Sequence, residues 1–405
     1  MKKEIVWSLG SIKGSKLNSL KNSYFSYFVL YLFYYLSYSL FSSLISVYLM
    51  GQGFSAAQAS FVVSMSFLMS MVFQPLVSNL AEKIGLKKST LFCMAITIIG
   101  GILFLASKNF IAITFTYSLV MTFINGVNPI MEKICTSSPF SYGKIRMWGT
   151  IGYAIGTQCA AWLHDLIAPW AIFVAFLLCV VCCIAGGIMI QPQEKKIVAC
   201  ESKEVPKETG FKNLMRNHKF MIYLLIAGIF YGVTSAINTF MPSLLTDQGL
   251  DTGLVGTLLS IAVIMELPLI IFSSKFMDQM TSKSLTYISF GMALAMVICC
   301  FIPSLCSFQV PVVMLTKHPS GMIFIMLNLK IVTSLLSAPQ VLSGLALVAA
   351  VKNLVSMVFN SVMGVAIDLA GYELAFAGLG LCLLVGALVV FFFKMPKGQN
   401  LKLFS

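Results

Sequence analysis

The residues best equipped for chemistry begin with Arg146, Gly149 and Tyr153, which recur at i, i+3 and i+7 within SYGKIRMWGTIGY, residues 141–153. On an α-helix they share one face. A guanidinium is a fork of donors suited to neighbouring hydroxyls, a ring offers a flat apolar surface, and the glycine between them leaves a notch. Together they could cradle a polar solute with one flat side, although an arginine that snorkels to headgroups is the plainer alternative. Glu132 and Arg146 lie equally far from Pro139, so an antiparallel helix pair would bring them to similar depth as an ion pair. Glu266 interrupts the apolar run Ile261–Pro268. An acid at membrane depth costs several kcal/mol unless paired or neutral and is functional by default, and Pro268 loosens the helix beside it. Lys352 likewise needs a partner or a water-filled cavity. His318 serves equally well as a core residue or a participant. Its stretch Lys317-His318-Pro319-Ser320-Gly321 combines charge, proline and glycine, which predicts a broken helix lining a site within the membrane.

These residues need a container, and composition supplies it. Of 405 residues, 58% are hydrophobic and 10% charged, against about 25% charged in a soluble domain; the chain reads as an integral membrane protein. The net charge of +13 gathers in short loops between apolar runs, the positive-inside pattern rather than a nucleic-acid footprint. The 11 cysteines fall almost entirely inside apolar runs, so neither a disulfide framework nor a metal site is expected. The lysine-rich first 23 residues precede an apolar run too long for a signal segment. No phosphate loop, nucleophile elbow or metal signature is present, so enzyme chemistry is not expected.

Runs of about 20 apolar residues mark membrane spans, expected near 24–50, 59–78, 89–107, 110–136, 142–163, 168–191, 219–245, 253–274, 284–304, 309–331, 339–366 and 373–393. Loops rich in lysine alternate with loops carrying Asp165, Asp247, Asp251 and Glu373, which predicts a multi-pass cell-membrane protein with both termini cytoplasmic. The mixed-charge stretch 191–218 cannot bury itself and reads as a cytoplasmic linker. It divides the chain into an N-terminal six-helix half, 1–190, and a C-terminal one, 219–405. Tyr24, Tyr27, Phe28, Tyr31, Tyr34, Tyr35 and Tyr38 crowd the first span and read as aromatic anchoring and packing, with lining of a solute path as the alternative, and Gly152 with Gly156 reads as a close helix contact.

This all-α layout resembles the major facilitator superfamily, whose halves rock about a site near the bilayer midplane. The sequence after the second span, Ser78-Asn79-Leu80-Ala81-Glu82-Lys83-Ile84-Gly85-Leu86-Lys87-Lys88, is similar to that superfamily's signature loop. An acid beside a tight glycine turn and paired bases could latch one conformation, so Glu82, Lys83, Gly85, Lys87 and Lys88 form a candidate latch, or else only an exposed turn. Leu20-Lys21-Asn22, Phe73-Gln74-Pro75-Leu76, and Glu132-Lys133 followed by Tyr142-Gly143-Lys144-Ile145-Arg146-Met147-Trp148-Gly149 narrow the likeness. They resemble the oligosaccharide:proton symporters, the lactose permease family.

That resemblance implies a hydroxyl-binding role for Arg146, and it places Tyr153 where the family stacks an aromatic ring on the sugar. Asn128 falls where the family has an acid. Glu266 and His318 fall on a sugar-contacting and proton-coupling network and Lys352 on its lysine. Glu132 is a further candidate for coupling. Departures accompany these matches: Gly321 stands at a proton-carrying glutamate position, Ile298 at an arginine, Leu315 at a lysine, and Thr234 and Ile237, beside Asn238, near two aspartates. Lys352 thus loses its family partner, and pairing with Glu266 is the simplest repair. The resemblance implies proton-coupled import of a sugar or glycoside by a functional monomer, with no cofactor beyond the coupling proton. A nucleoside, aromatic-acid or other metabolite carrier, or an exporter, is the alternative; a ligand sensor that moves nothing is a third.

Overall fold

The computed structural model describes residues 21–140, 142–191, 214, 216–272, 277, 279–301 and 306–395. Most of the 191–218 linker and of the loop after the eighth span lies outside the described residues. Within them the chain forms helices α1 (Tyr24–Ser42), α2 (Ile45–Gly51), α3 (Ala56–Ile84), α4 (Leu86–Ala106), α5 (Phe110–Thr136), α6 (Tyr142–Leu166) and α7 (Ala171–Met189) in the first half. The second half contains α8 (His218–Asp247), α9 (Thr252–Ile264), α10 (Leu267–Ile271), α11 (Ser282–Phe301), α12 (Cys306–Leu335) and α13 (Ala338–Phe392).

Local chemistry sets the ends. Ser55 caps α3 in a reciprocal box with Gln58, and Asn109 and Asn217 accept from the first turns of α5 and α8, satisfying donors that a helix leaves open. Ten helical segments among the described residues are long and apolar enough to cross a membrane. One of these, within α13, is two helices turned at Gly371, whose φ of 78° suits only glycine. The charged α6 completes the twelve. The signature segment is not a loop: α3 runs through Glu82 and Lys83 to Ile84, and the turn into α4 is the single residue Gly85 at φ 88°.

The breaks differ from expectation. The span around His318 is one continuous helix, α12, with Pro311 and Pro319 inside it. The eighth span breaks instead: α9 stops at Ile264 and α10 starts at Leu267, because Pro268 has no N–H for Ile264 and its ring crowds that carbonyl. A second break separates α1 from α2 at Ser43 and Leu44.

Each half has its own apolar core. In the first, Tyr27, Tyr31 and Tyr34 are buried; the Tyr31 hydroxyl donates to the Met131 carbonyl and that of Tyr34 to Ile124 at 2.7 Å. Gly152 and Gly156 let α6 approach α1 until an added Cβ would stand 2.4 Å and 2.6 Å from the Leu32 and Leu36 carbonyl oxygens. The halves meet mainly where α3 packs on α13, α6 on α9 and α2 on α8. These contacts concentrate at the end of the bundle carrying Gly51, Ala56, Leu166 and Thr252. There Gly364 lies under Ser60 and Gly256 under Ala161, where a Cβ would come within 2.1 Å and 2.2 Å. Ser46 donates to the Thr239 carbonyl at 2.5 Å and receives from Ser243 at 2.7 Å. Asp165 accepts from the Gly253 N–H, and Asp368 from those of Ala56 and Ala57 at 2.9 and 2.8 Å.

Candidate functional site

Between the halves lies a cavity of about 300 Å³ walled by α1, α3, α5 and α6 on one side and α8, α9, α12 and α13 on the other. Its wall is mostly aromatic and small polar: Tyr38, Tyr117, Asn125 and Tyr153 face Tyr231, Thr234, Ser235 and Asn238. Its charged or titratable nitrogens and carboxylate are Glu266, Lys317, His318 and Lys352.

Glu266 occupies the gap between α9 and α10, where the backbone turns from Glu266 N–H to Val263 at 3.1 Å, one residue short of α-helical spacing. Its Oε1 accepts from Thr150 of α6 at 3.3 Å, and its Oε2 stands 3.9 Å from His318 Nδ1. One carboxylate therefore touches both halves. Tyr153 faces His318 with ring centroids 6.1 Å apart and Tyr38 at 5.9 Å, so the expected ring does stand on the cavity wall.

Arg146 does not share that wall. Its Nε binds Glu132 at 3.1 Å and its guanidinium lies over the Tyr35 ring at 4.8 Å, while the Tyr35 hydroxyl donates to Asn128 Oδ1 at 3.1 Å. Arg146 and Tyr153 are two helical turns apart, about 10 Å along the axis, which separates the expected single cradle into two layers. The notch at Gly149 is filled by protein: a Cβ there would stand 2.7 Å from Tyr35 and 2.9 Å from Arg146. Asn128 and Glu132 belong to this Arg146 layer, next to the cavity rather than on it.

Lys352 is not on Glu266 but over the Tyr231 ring at 5.3 Å. Gly321 opens onto the cavity, and a Cβ there would meet nothing within 4 Å. At the candidate latch, Lys87 donates to the Ile188 carbonyl and to that of Ile190 at 2.8 Å, capping α7 in its own half. Lys83 and Lys88 are exposed, and the Glu82 side chain and Asp278 lie outside the described residues. The main contacts between the halves lie at the other end of the bundle from this candidate latch.

Lys317 received no role of its own from the sequence beyond its place in the stretch expected to line a site, and the polar face of α8 received none. Tyr231, Thr234, Ser235, Asn238 and Thr239 recur at i, i+3, i+4, i+7 and i+8, a polar stripe at helical period in an apolar span, and that periodicity was the available signal.

Two helical halves closing on a polar cavity, built of helices long and apolar enough to cross a membrane, define a multi-pass membrane protein. The chain matches the Major Facilitator Superfamily over residues 27–334 and belongs to it. The uncharacterized transporter YwbF of Bacillus subtilis (strain 168) is 26% identical over 62% of this chain and 63% of its own length. A sucrose permease of Escherichia coli is 23% identical over 55% and 58%. The chain thus covers less than two-thirds of either relative. The crystal structure of the nucleoside transporter NupG superimposes with a TM-score of 0.77 at 13% identity, covering 91% of this chain and 99% of that one, a likeness of fold.

Proposed function

We propose that the chain imports a sugar or small glycoside together with a proton, by rocking of its halves about the central cavity. The carrying observation is Glu266: a carboxylate at a helix break, on the cavity wall, held by Thr150 of one half and facing His318 of the other. A proton taken up there would weaken its hold on both halves at once and so couple protonation to rocking. Tyr153 and Tyr38 offer flat faces to a pyranose, and the α8 stripe with Asn125 offers hydroxyl-binding groups. Arg146, Asn128 and Glu132 serve as an adjoining layer that solute meets on the way through, and Lys352 and His318 respond to the charge on Glu266. Sugar-permease relatives favour this class of solute.

In this assignment the chain is a monomeric carrier of the cell membrane with both termini and the 191–218 linker cytoplasmic, no enzyme activity, and no cofactor other than the proton. The sealed end is then external and the conformation faces inward; Glu82, Lys83, Gly85, Lys87 and Lys88 would latch the opposite one. The aromatic wall also suits a nucleoside base, the main alternative solute. Uptake of labelled sucrose, maltose and uridine into proteoliposomes, with and without an inward proton gradient, separates these possibilities. Gradient-driven sugar accumulation is expected. Uptake indifferent to the gradient overturns symport, preference for uridine overturns the sugar assignment, and binding without uptake leaves a sensor.

A further inference from the structure

The cavity carries more positive charge than a neutral sugar needs. Lys317 on α12 and Lys352 on α13 both line it, with Glu266 as its carboxylate and His318 beside that acid. Among the described residues neither lysine lies within 4.0 Å of a carboxylate, the ion pairs being Arg146–Glu132, His164–Asp165 and His318–Glu266. Lys352 rests on a tyrosine ring at 5.3 Å. The oxygens of Glu266 are directed to Thr150 and His318. Arg146, in the adjoining layer, is matched by Glu132 at 3.1 Å. Two ammonium groups therefore face one cavity with a single acid whose oxygens are turned elsewhere.

Such an arrangement is costly at membrane depth. A lysine at the centre of a span is costly before any partner is found, and two like charges sharing a cavity raise that cost. Hydroxyls can be bound by the serine, threonine and asparagine side chains already on the wall, so hydroxyl recognition does not account for a pair of ammonium groups. An oxyanion does: it accepts a charge-assisted bond from each and neutralises the surplus. The volume, about 300 Å³, is at the small end of ligand pockets. Gly321, with nothing within 4 Å of its Cβ position, leaves room for a charged substituent beside Lys317.

We infer that the transported solute is an anion, a hydroxylated compound of sugar size bearing a carboxylate or a phosphate, whose oxyanion is held between Lys317 and Lys352. The inference rests on the carrier assignment above and narrows its solute. Glu266 then has a second part: in the empty carrier it is the carboxylate that shares the cavity with both lysines, and the solute's oxyanion takes that place when Glu266 is protonated.

The test uses the full chain in proteoliposomes with matched neutral and acidic pairs: glucose against glucuronate and glucose 6-phosphate, galactose against galacturonate, and lactose against lactobionate. Uptake and thermal stabilisation of the wild-type protein are read together. At least one acid should be preferred over its neutral partner by tenfold or more, equivalent to ~1.4 kcal/mol; preference among the carboxylate and phosphate members identifies the oxyanion. In K317Q and in K352Q the ratio of acid to neutral uptake should fall about tenfold. Neutral members handled as well as their acids by the wild type overturn the anion inference while leaving sugar transport standing. No uptake or stabilisation by any member overturns both. The wild-type comparison decides even if a variant does not fold.

Discussion

At the sealed end two aspartates, one on α6 and one on α13, each cap a helix of the other half. Asp368 Oδ1 and Oδ2 accept the first N–H groups of α3, from Ala56 and Ala57, at 2.9 and 2.8 Å, while the Ser55 hydroxyl accepts that of Gln58 at 3.2 Å. Three donors at the start of α3 are thereby satisfied, two of them across the seam. When this end opens, Ala56 and Ala57 must turn to water and lose the carboxylate's favourable placement at the positive end of the helix dipole. Asp368 is exposed, so the gain is that of a solvated cap: about 0.5–1 kcal/mol from the lost charge and one of two accepted bonds. Asp368→Asn should therefore raise the population open at this end about two- to fivefold. Asp165→Asn, which weakens the matching cap on Gly253, should add to it, since the two sites share no partner. Spin labels at Gln52 and Glu373 in a cysteine-depleted protein report the separation across the seam. A longer-distance population that grows in each single variant and grows further in the double is expected. An unchanged distance distribution in the double variant refutes the reasoning.

Three further outcomes are expected. Glu266→Gln keeps the Thr150 hydrogen bond but cannot carry a proton, so gradient-driven accumulation should be lost while solute exchange survives within a few-fold; accumulation that persists would falsify the coupling role. Arg146→Lys keeps the charge but loses the flat guanidinium over Tyr35, a contact worth about 0.5–2 kcal/mol, and the fork on Glu132. Uptake should fall several-fold, and wild-type uptake by this variant would remove Arg146 from the path. Gly152→Ala puts a methyl 2.4 Å from the Leu32 carbonyl oxygen, backbone that cannot swing aside, so α1 must shift. Overpacking of this kind costs about 1–3 kcal/mol and should appear as a lower unfolding temperature, with an unchanged one contradicting the packing.

Span positions were legible because a bilayer demands long apolar runs with all backbone bonds made internally. Breaks within spans were not, because proline has no single outcome. Pro319 leaves α12 continuous, whereas Pro268 ends α9 two residues before α10 begins. The difference lies in the local bonds around each proline: beside Glu266 the chain tightens to a three-residue bond with Val263, while around Pro319 the Ser320 hydroxyl donates to the Lys317 carbonyl at 3.1 Å and supports the turn. Arg146 and Tyr153 showed the same limit from another direction. Their shared helix face was legible, but the seven-residue separation along it becomes depth, and depth decides that only Tyr153 reaches the cavity. The ion pair of Arg146 with Glu132 could be anticipated from their equal distance to Pro139, a property of the hairpin alone.

Contacts between halves are set by how two separately packed bundles lean together, and no local pattern encodes them. The expected pairing of Glu266 with Lys352, both in the second half, gave way in part to such a contact, because Glu266 is held across the seam by Thr150. Both residues need relief at membrane depth, but relief came from different neighbours: Thr150 of the other half and His318 for the acid, the Tyr231 ring for the base. The consequence is functional. An acid and a lysine locked together would spend the cavity's charge on each other, leaving little to distinguish one solute from another. Held apart, they leave an acid poised between the halves and a lysine facing the solute. In the proposed symport, protonation of Glu266 would weaken its hold on Thr150 and leave the positive charge of the cavity to the solute in one step, so that one proton would favour both solute binding and rocking of the halves.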